Sequence, residues 1–244
     1  TPSSLNQLAP SGEVTAISYS SKSKNIAIGY KNGVINYFPS NQPTIVLDNF
    51  PSVEDLIISA DNRFIYASNG ENNIEILDIQ SGKKQENPLS NPGAVNNLSM
   101  SMDRQLMLAG GNGNVVYLWF LDPTNTEWKQ INGFSNLGGR VTDFAFSHDN
   151  KHVAIGLSTG VIKVFETPSE NEAKTLQPLS SFNDFSGQIL SVAFSPNEPI
   201  IASANHEEGL KLRNVETNEE EPFLLDKVMG GIDEIYFSSD GLWL

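Results

Sequence analysis

Val141-Thr142-Asp143-Phe144-Ala145-Phe146-Ser147, followed by the turn His148-Asp149-Asn150, is the stretch on which the fold is read. The same phrase, an apolar residue, two variable ones, a second apolar residue and a closing serine, begins at Val14, Val53, Val95, Ile189 and Ile232. Successive starts from Val14 to Ile232 are 39, 42, 46, 48 and 43 residues apart. That period brackets the roughly 40–45 residues of a four-stranded sheet unit in repeat proteins. The chain is an array.

Working outward from each phrase, a turn containing Asp, Asn or Pro leads into a small apolar run: Asn25–Gly29, Phe64–Ser68, Leu106–Gly110, His152–Gly156 and Ile200–Ala204. Short polar side chains stabilise tight turns, so a hairpin is predicted at each junction. The runs lack polar alternation, which predicts strands buried on both faces. A second Asn- or Gly-bearing turn opens a third, alternating strand at 33–38, 73–78, 115–119, 160–166 and 209–214. A more polar fourth segment closes the unit, as in Thr44–Leu47, Trp128–Ile131 and Pro222–Leu225. No window sustains helical spacing of apolar residues, so the fold class is all-β.

Composition narrows the function classes. The 244 residues carry 39% apolar side chains, enough for a sizeable core. With 29 acidic and 15 basic residues the net charge is −14, which opposes generic attraction to nucleic-acid phosphates or anionic lipid. Neither nucleic acid nor membrane is therefore an expected partner. The absence of cysteine removes disulfide scaffolds, zinc ribbons and thiol nucleophiles. The longest apolar run, Val115–Leu121, is far below the roughly 20 residues of a membrane-spanning helix. No secretory signal region is evident, and the expectation is a cytoplasmic protein.

These units resemble the WD-repeat β-propeller family over essentially residues 11–244, best at Val141–Glu166 and Ile189–Asn214. The repeats are degenerate: the Trp-Asp position holds Phe38-Pro39, Leu77-Asp78, Trp119-Phe120, Phe165-Glu166 and Arg213-Asn214. The Gly-His pair of the family is missing ahead of the first strands, so burial takes over stabilisation from the family's side-chain network. The resemblance implies an all-β propeller of four-stranded antiparallel blades, with five complete repeats plus a partial sixth, belonging to a seven-bladed or larger propeller. The repeats run at about 11–50, 51–91, 92–136, 137–184 and 185–228, with the partial one at 229–244; residues 1–10, through Ser4–Leu8, are the expected outer closing strand. A sixth unit without its third strand predicts either a piece of a longer chain or a ring that closes imperfectly.

The chemistry-bearing residues give little sign of catalysis. His148 and His152 are four apart, a metal-ligand spacing only on a helix, and here they flank a hairpin turn. Gly110–Asn114 looks like a phosphate loop but leads into a strand rather than a helix. The acidic run Glu216–Glu221 lacks the alternating spacing of a calcium loop and reads as a solvated connection. No cofactor, no metal ligand and no catalytic residue is assigned. The alternative, a propeller hydrolase or lactonase-like enzyme with a metal in the channel, would draw on Glu54, Asn96, Thr142 and Asp233 at its mouth.

The resemblance implies instead a non-catalytic scaffold that binds a protein partner on the loops around the channel. Carried onto this chain, the family's contact positions give Glu13, Thr15, Glu54, Asn96, Arg140, Thr142, Gln188 and Asp233 beside the first strands. The turns between second and third strands add Lys31, Glu71 and Glu207. Acids outnumber bases in this set, so a basic peptide segment is the expected ligand.

Overall fold

In a computed structural model that describes residues 12–20, 23–40, 42–48, 50–124, 127–168, 176–222 and 231–244, twenty-one strands in antiparallel sheets account for the regular structure of those described residues. The expected closing strand at Ser4–Leu8 lies outside the described residues. Among the described residues there is no helix. The chain divides into two compact units, residues 1–98 and 99–244.

In the first unit, one sheet runs in the order β1 (Val14–Ser20), β2 (Asn25–Tyr30), β3 (Ile35–Phe38), β4 (Ile45–Leu47). The next comprises β5 (Asp55–Ile58), β6 (Phe64–Ser68) and β7 (Asn73–Asp78), whose outer partner is split into β8 (Lys83–Lys84) and β9 (Leu89–Ser90). Pro88, with no N–H to give a ladder, falls between the two halves. The sheets pack through one apolar layer: Ala27, Ile35 and Tyr37 against Val53, Leu56, Ile65 and Leu77, all buried. The other face of the first sheet is less covered than its sequence predicts. Ile17 and Tyr19, paired with half-buried Ile28 and Ile26, are 63% and 54% exposed.

In the second unit, β10 (Asn97–Met100), which starts at the boundary, is followed by β11 (Leu106–Gly110), β12 (Val116–Leu121) and β13 (Trp128–Phe134). Two further blades follow: β14 (Val141–Phe146), β15 (His152–Leu157), β16 (Val161–Glu166), β17 (Ser180–Asn183), then β18 (Ser191–Phe194), β19 (Ile200–Asn205), β20 (Gly209–Asn214), β21 (Glu220–Glu221). Phe134 and Phe165, both buried, meet at 4.9 Å between ring centroids and join two blades. Ile162, Val164 and Phe182 pack on Ile189, Val192 and Ile201 in the same way. The second strands β15 and β19 are buried along nearly their whole length, as the unbroken apolar runs predict.

Two expectations are corrected here. The stretch Glu216–Glu221, read as a solvated connection, holds the outer pairing of the last blade at Glu220–Glu221, and residues 223–225 of the expected Pro222–Leu225 strand lie outside the described residues. Arg213 stands opposite Glu220 at 4.0 Å, while its guanidinium is held mainly by the buried Asp184 carboxylate. Ile232–Ser238 forms no strand, since no described segment pairs with it. Its apolar residues still pack: Ile235 is buried against Ala202, Ala204 and Leu210.

Two local devices recur. The first is a Ser-x-Asp turn between first and second strands. Ser147 Oγ donates to Asp149 Oδ1 (2.7 Å), and the N–H groups of His152 and Lys151 donate to Ser147 Oγ and Asp149 Oδ1. Ser59–Asp61, Ser101–Asp103 and Ser238–Asp240 repeat this pattern. The residue after each Asp is left-handed: Asn62, Arg104, Asn150 and Gly241. The second device staples blades together. The third residue of the phrase accepts the N–H of the fourth residue of the next phrase: Asp55 Oδ2 from Leu98 (2.7 Å), Asp143 Oδ2 from Val192 (2.8 Å), Ser191 Oγ from Ile235 (3.3 Å). Each aspartate also holds the N–H of its own successor, Leu56 or Phe144, through Oδ1. Burial pushes the Asp143 carboxyl up to about 6, against the pull of the Val192 and Phe144 N–H groups and the Ser191 hydroxyl.

Candidate partner-binding face

The loops that carry the expected contacts are built by Asx turns between second and third strands. Asn32 Oδ1 accepts the N–H of Val34, Asn69 Oδ1 that of Glu71, and Asn205 Oδ1 those of Glu207 and Glu208. Gly33 and Gly160 take φ of 85° and 80° beside the carbonyls of Phe50 and Phe185, where a Cβ would lie 1.9 Å from the oxygen. Only glycine fits both the dihedral and the space.

In the first unit these turns meet the segment ahead of the first strand. Lys31 N–H donates to the Glu13 carbonyl, and the two side chains form an exposed ion pair at 3.5 Å. In the second blade, Gly70 lies between Glu54 and Asn96: a Cβ there would be 3.7 Å from Glu54 Cγ and 3.5 Å from Asn96 Nδ2. Gly70 N–H donates to the Val95 carbonyl, and Val95 N–H to the Glu71 carbonyl. Glu54, Glu71 and Asn96 are thus neighbours, and among the described residues neither carboxylate has an ion-pair partner. Thr15 is held within the fold, its hydroxyl donating to the Val53 carbonyl at 2.6 Å.

In the second unit Arg140 reaches across three blades, donating to Asn112 Oδ1 (2.7 Å) and Gln188 Oε1 (3.0 Å). Its partners are neutral amides, so its charge is anchored but not cancelled. The hydroxyl oxygen of Thr142 is buried and has no hydrogen-bond partner among the described residues. Glu207 and Asp233 are exposed, and Asp233 Oδ1 is 3.8 Å from His206 Nδ1. Glu208 accepts both the hydroxyl and the N–H of Ser186, and these hold its carboxyl below the usual range. Among the described residues no group of three or more His, Asp or Glu side chains converges as a metal site.

The expected contact set included neither Asn112 nor His206, although both complete contacts of residues it did name. Asn112 sits in the Gly-rich turn, and its left-handed φ of 53° is what aims it at Arg140. The two stapling aspartates were also missed, and their signal was in the sequence: Asp55 and Asp143 occupy the same position of the phrase.

Comparison with known proteins agrees with this architecture. Residues 176–212 match the family model described as WD domain, G-beta repeat. The match runs from β17, the outer strand of one blade, through the inner three strands of the next. The chain is 22% identical over 161 residues to the probable U3 small nucleolar RNA-associated protein 18 of Schizosaccharomyces pombe, an alignment covering 65% of this chain and 30% of that protein. It superposes on a chain of the crystal structure of the mitotic checkpoint complex with a TM-score of 0.69 at 16% identity, covering 85% of this chain and 62% of the other. The chain thus spans less than two thirds of the length of each.

Proposed function

We propose that this chain, whose repeats and blades are of the WD-repeat β-propeller type, is a non-catalytic interaction scaffold that docks a basic segment of a protein partner on its loop face. The observation carrying this reading is the pair Glu54 and Glu71 on one blade edge, held by backbone bonds and without a neutralising cation among the described residues. Carboxylates carried on a held backbone, here the exposed Glu71 and the half-buried Glu54, steer a cationic segment and set its register more than they add affinity. The Glu13–Lys31 pair neighbours them as a neutral flank. The S. pombe relative is named for association with a small nucleolar RNA; a chain of net charge −14 fits such an assembly by touching its protein components rather than phosphate.

The test is fluorescence anisotropy with labelled nonapeptides of Lys, Arg and Gln, together with a uridine-rich RNA oligonucleotide. Expected are salt-sensitive peptide binding, a loss of fivefold or more in Glu54→Lys/Glu71→Lys, and no RNA binding. Peptide binding indifferent to that double reversal, or RNA binding in its place, would overturn the reading.

A further inference from the structure

Within each unit, one pair of consecutive blades is closed at the opposite strand ends, where first and second strands turn. In the first unit the left-handed Asn62 bridges back one blade, its Oδ1 accepting from Ser23 Oγ (2.7 Å) and Asn25 Nδ2 (3.3 Å). In the second unit Asn150 does the same, accepting the Met102 N–H at 2.7 Å. The next turn, Ser195-Pro196-Asn197-Glu198-Pro199, puts Glu198 at that position. Glu198 is not left-handed, and among the described residues it makes no bond to the preceding turn. A cleft of about 440 Å³ opens there between the turns of the fourth and fifth blades.

The cleft has a definite chemistry. Its apolar wall is Val164, Phe194 and Val215, continuous with the buried layer between the two blades, and Leu179 stands beside it 59% exposed. Asp149, Glu198 and Glu216 line it, and no Lys or Arg does. Lys151, next to Asp149, forms an ion pair with that acid at 3.3 Å and, among the described residues, with no other. The volume lies in the range of sites that enclose a small ligand and accommodates one or two large side chains.

We propose that this cleft is a second docking site, for a short linear segment of a protein partner in which one bulky aliphatic or aromatic side chain is flanked by Lys or Arg. The bulky side chain fills the space against Phe194 and Val215, and the flanking cations meet Glu198 and Glu216. Charge complementarity fixes this occupant: an acidic or uncharged segment gains nothing from those carboxylates. The site is independent of the loop-face reading, because it uses the other ends of the strands.

The experiment is an anisotropy titration with labelled pentapeptides, Lys/Arg-flanked, carrying Leu, Ile, Met, Phe, Tyr or Ser at the centre. At least one bulky member binds the wild-type protein tenfold or more tighter than the Ser peptide. Leu179→Ser removes exposed apolar surface, and Glu198→Asn restores the bridge seen at Asn62 and Asn150; each lowers binding fivefold or more while thermal unfolding stays cooperative. Glu54→Lys/Glu71→Lys leaves it unchanged, which separates this site from the loop face. Absence of binding by the whole panel, retention of binding in either cleft variant, or loss in the loop-face variant would each overturn the proposal.

Discussion

Asp143 offers a test in which two physical effects predict opposite signs. Desolvation of its carboxylate favours the neutral acid, yet it accepts hydrogen bonds from Phe144 and Val192, which favour the anion. Burial wins, placing the folded-state pKa at about 6 against an ordinary 3.8, with nearby Glu234 adding in the same direction. The folded chain therefore binds this proton more tightly than the unfolded chain. The stabilisation is complete below pH 3.8 and is lost as pH rises through 6. The full swing is about 3 kcal/mol, and roughly half of it falls between pH 5 and pH 8. The perturbation is Asp143→Asn, which keeps shape, removes the titration, and leaves one of the two backbone N–H groups facing an NH₂ group at a cost of about 1–3 kcal/mol. Urea unfolding followed by tryptophan fluorescence gives the difference between wild type and variant at each pH, cancelling the contribution of the other acids. With a denaturant slope of about 3 kcal/mol/M, the wild-type advantage in midpoint falls by about 0.5 M from pH 5 to pH 8. A difference that stays constant or grows with pH would mean that the donors outweigh burial, and the reasoning about this staple would fail.

The Ser-x-Asp turn can be tested at Ser147→Ala, which removes the bond to Asp149 and the acceptor of the His152 N–H; a loss of about 1–2 kcal/mol in chemical denaturation is expected. Asp149 is held down at about 2, first by the Ser147 hydroxyl, so the turn's contribution is present above pH 4 and lost as pH falls toward 2; amide exchange of His152 across that range reads it. Gly156→Ala places a Cβ 2.6 Å from Ile189 Cγ2 between two blades, an overpacking expected to cost about 1–3 kcal/mol by the same denaturation assay. Arg140→Ala removes one hydrogen bond each from Asn112 and Gln188 on an exposed loop edge, so stability should change by under about 0.5 kcal/mol while relaxation measurements show both loops more mobile.

The strands were legible because they are local. The observed bounds of β6, β7, β11 and β20 are those read from apolar runs between Gly, Asn and Asp turns, where pleat periodicity and turn chemistry act over a few residues. The loop residues Glu54, Glu71, Arg140 and Gln188 were likewise named in advance, from their place in the repeat. Their electrostatic condition was not: that Glu13 is paired, that Arg140 is held by amides, and that Thr15 is bonded inward depend on residues 18 to 48 positions away. The sequence by itself determined an array of four-stranded units, down to most of its turns, because alternation and turn propensity are properties of short segments. Only tertiary structure decided the staples from Asp55, Asp143 and Ser191, the outer strand at Glu220–Glu221, and the cleft beside Glu198. Each of these depends on how one blade meets the next, and a single side chain reaching or missing its neighbour settles it.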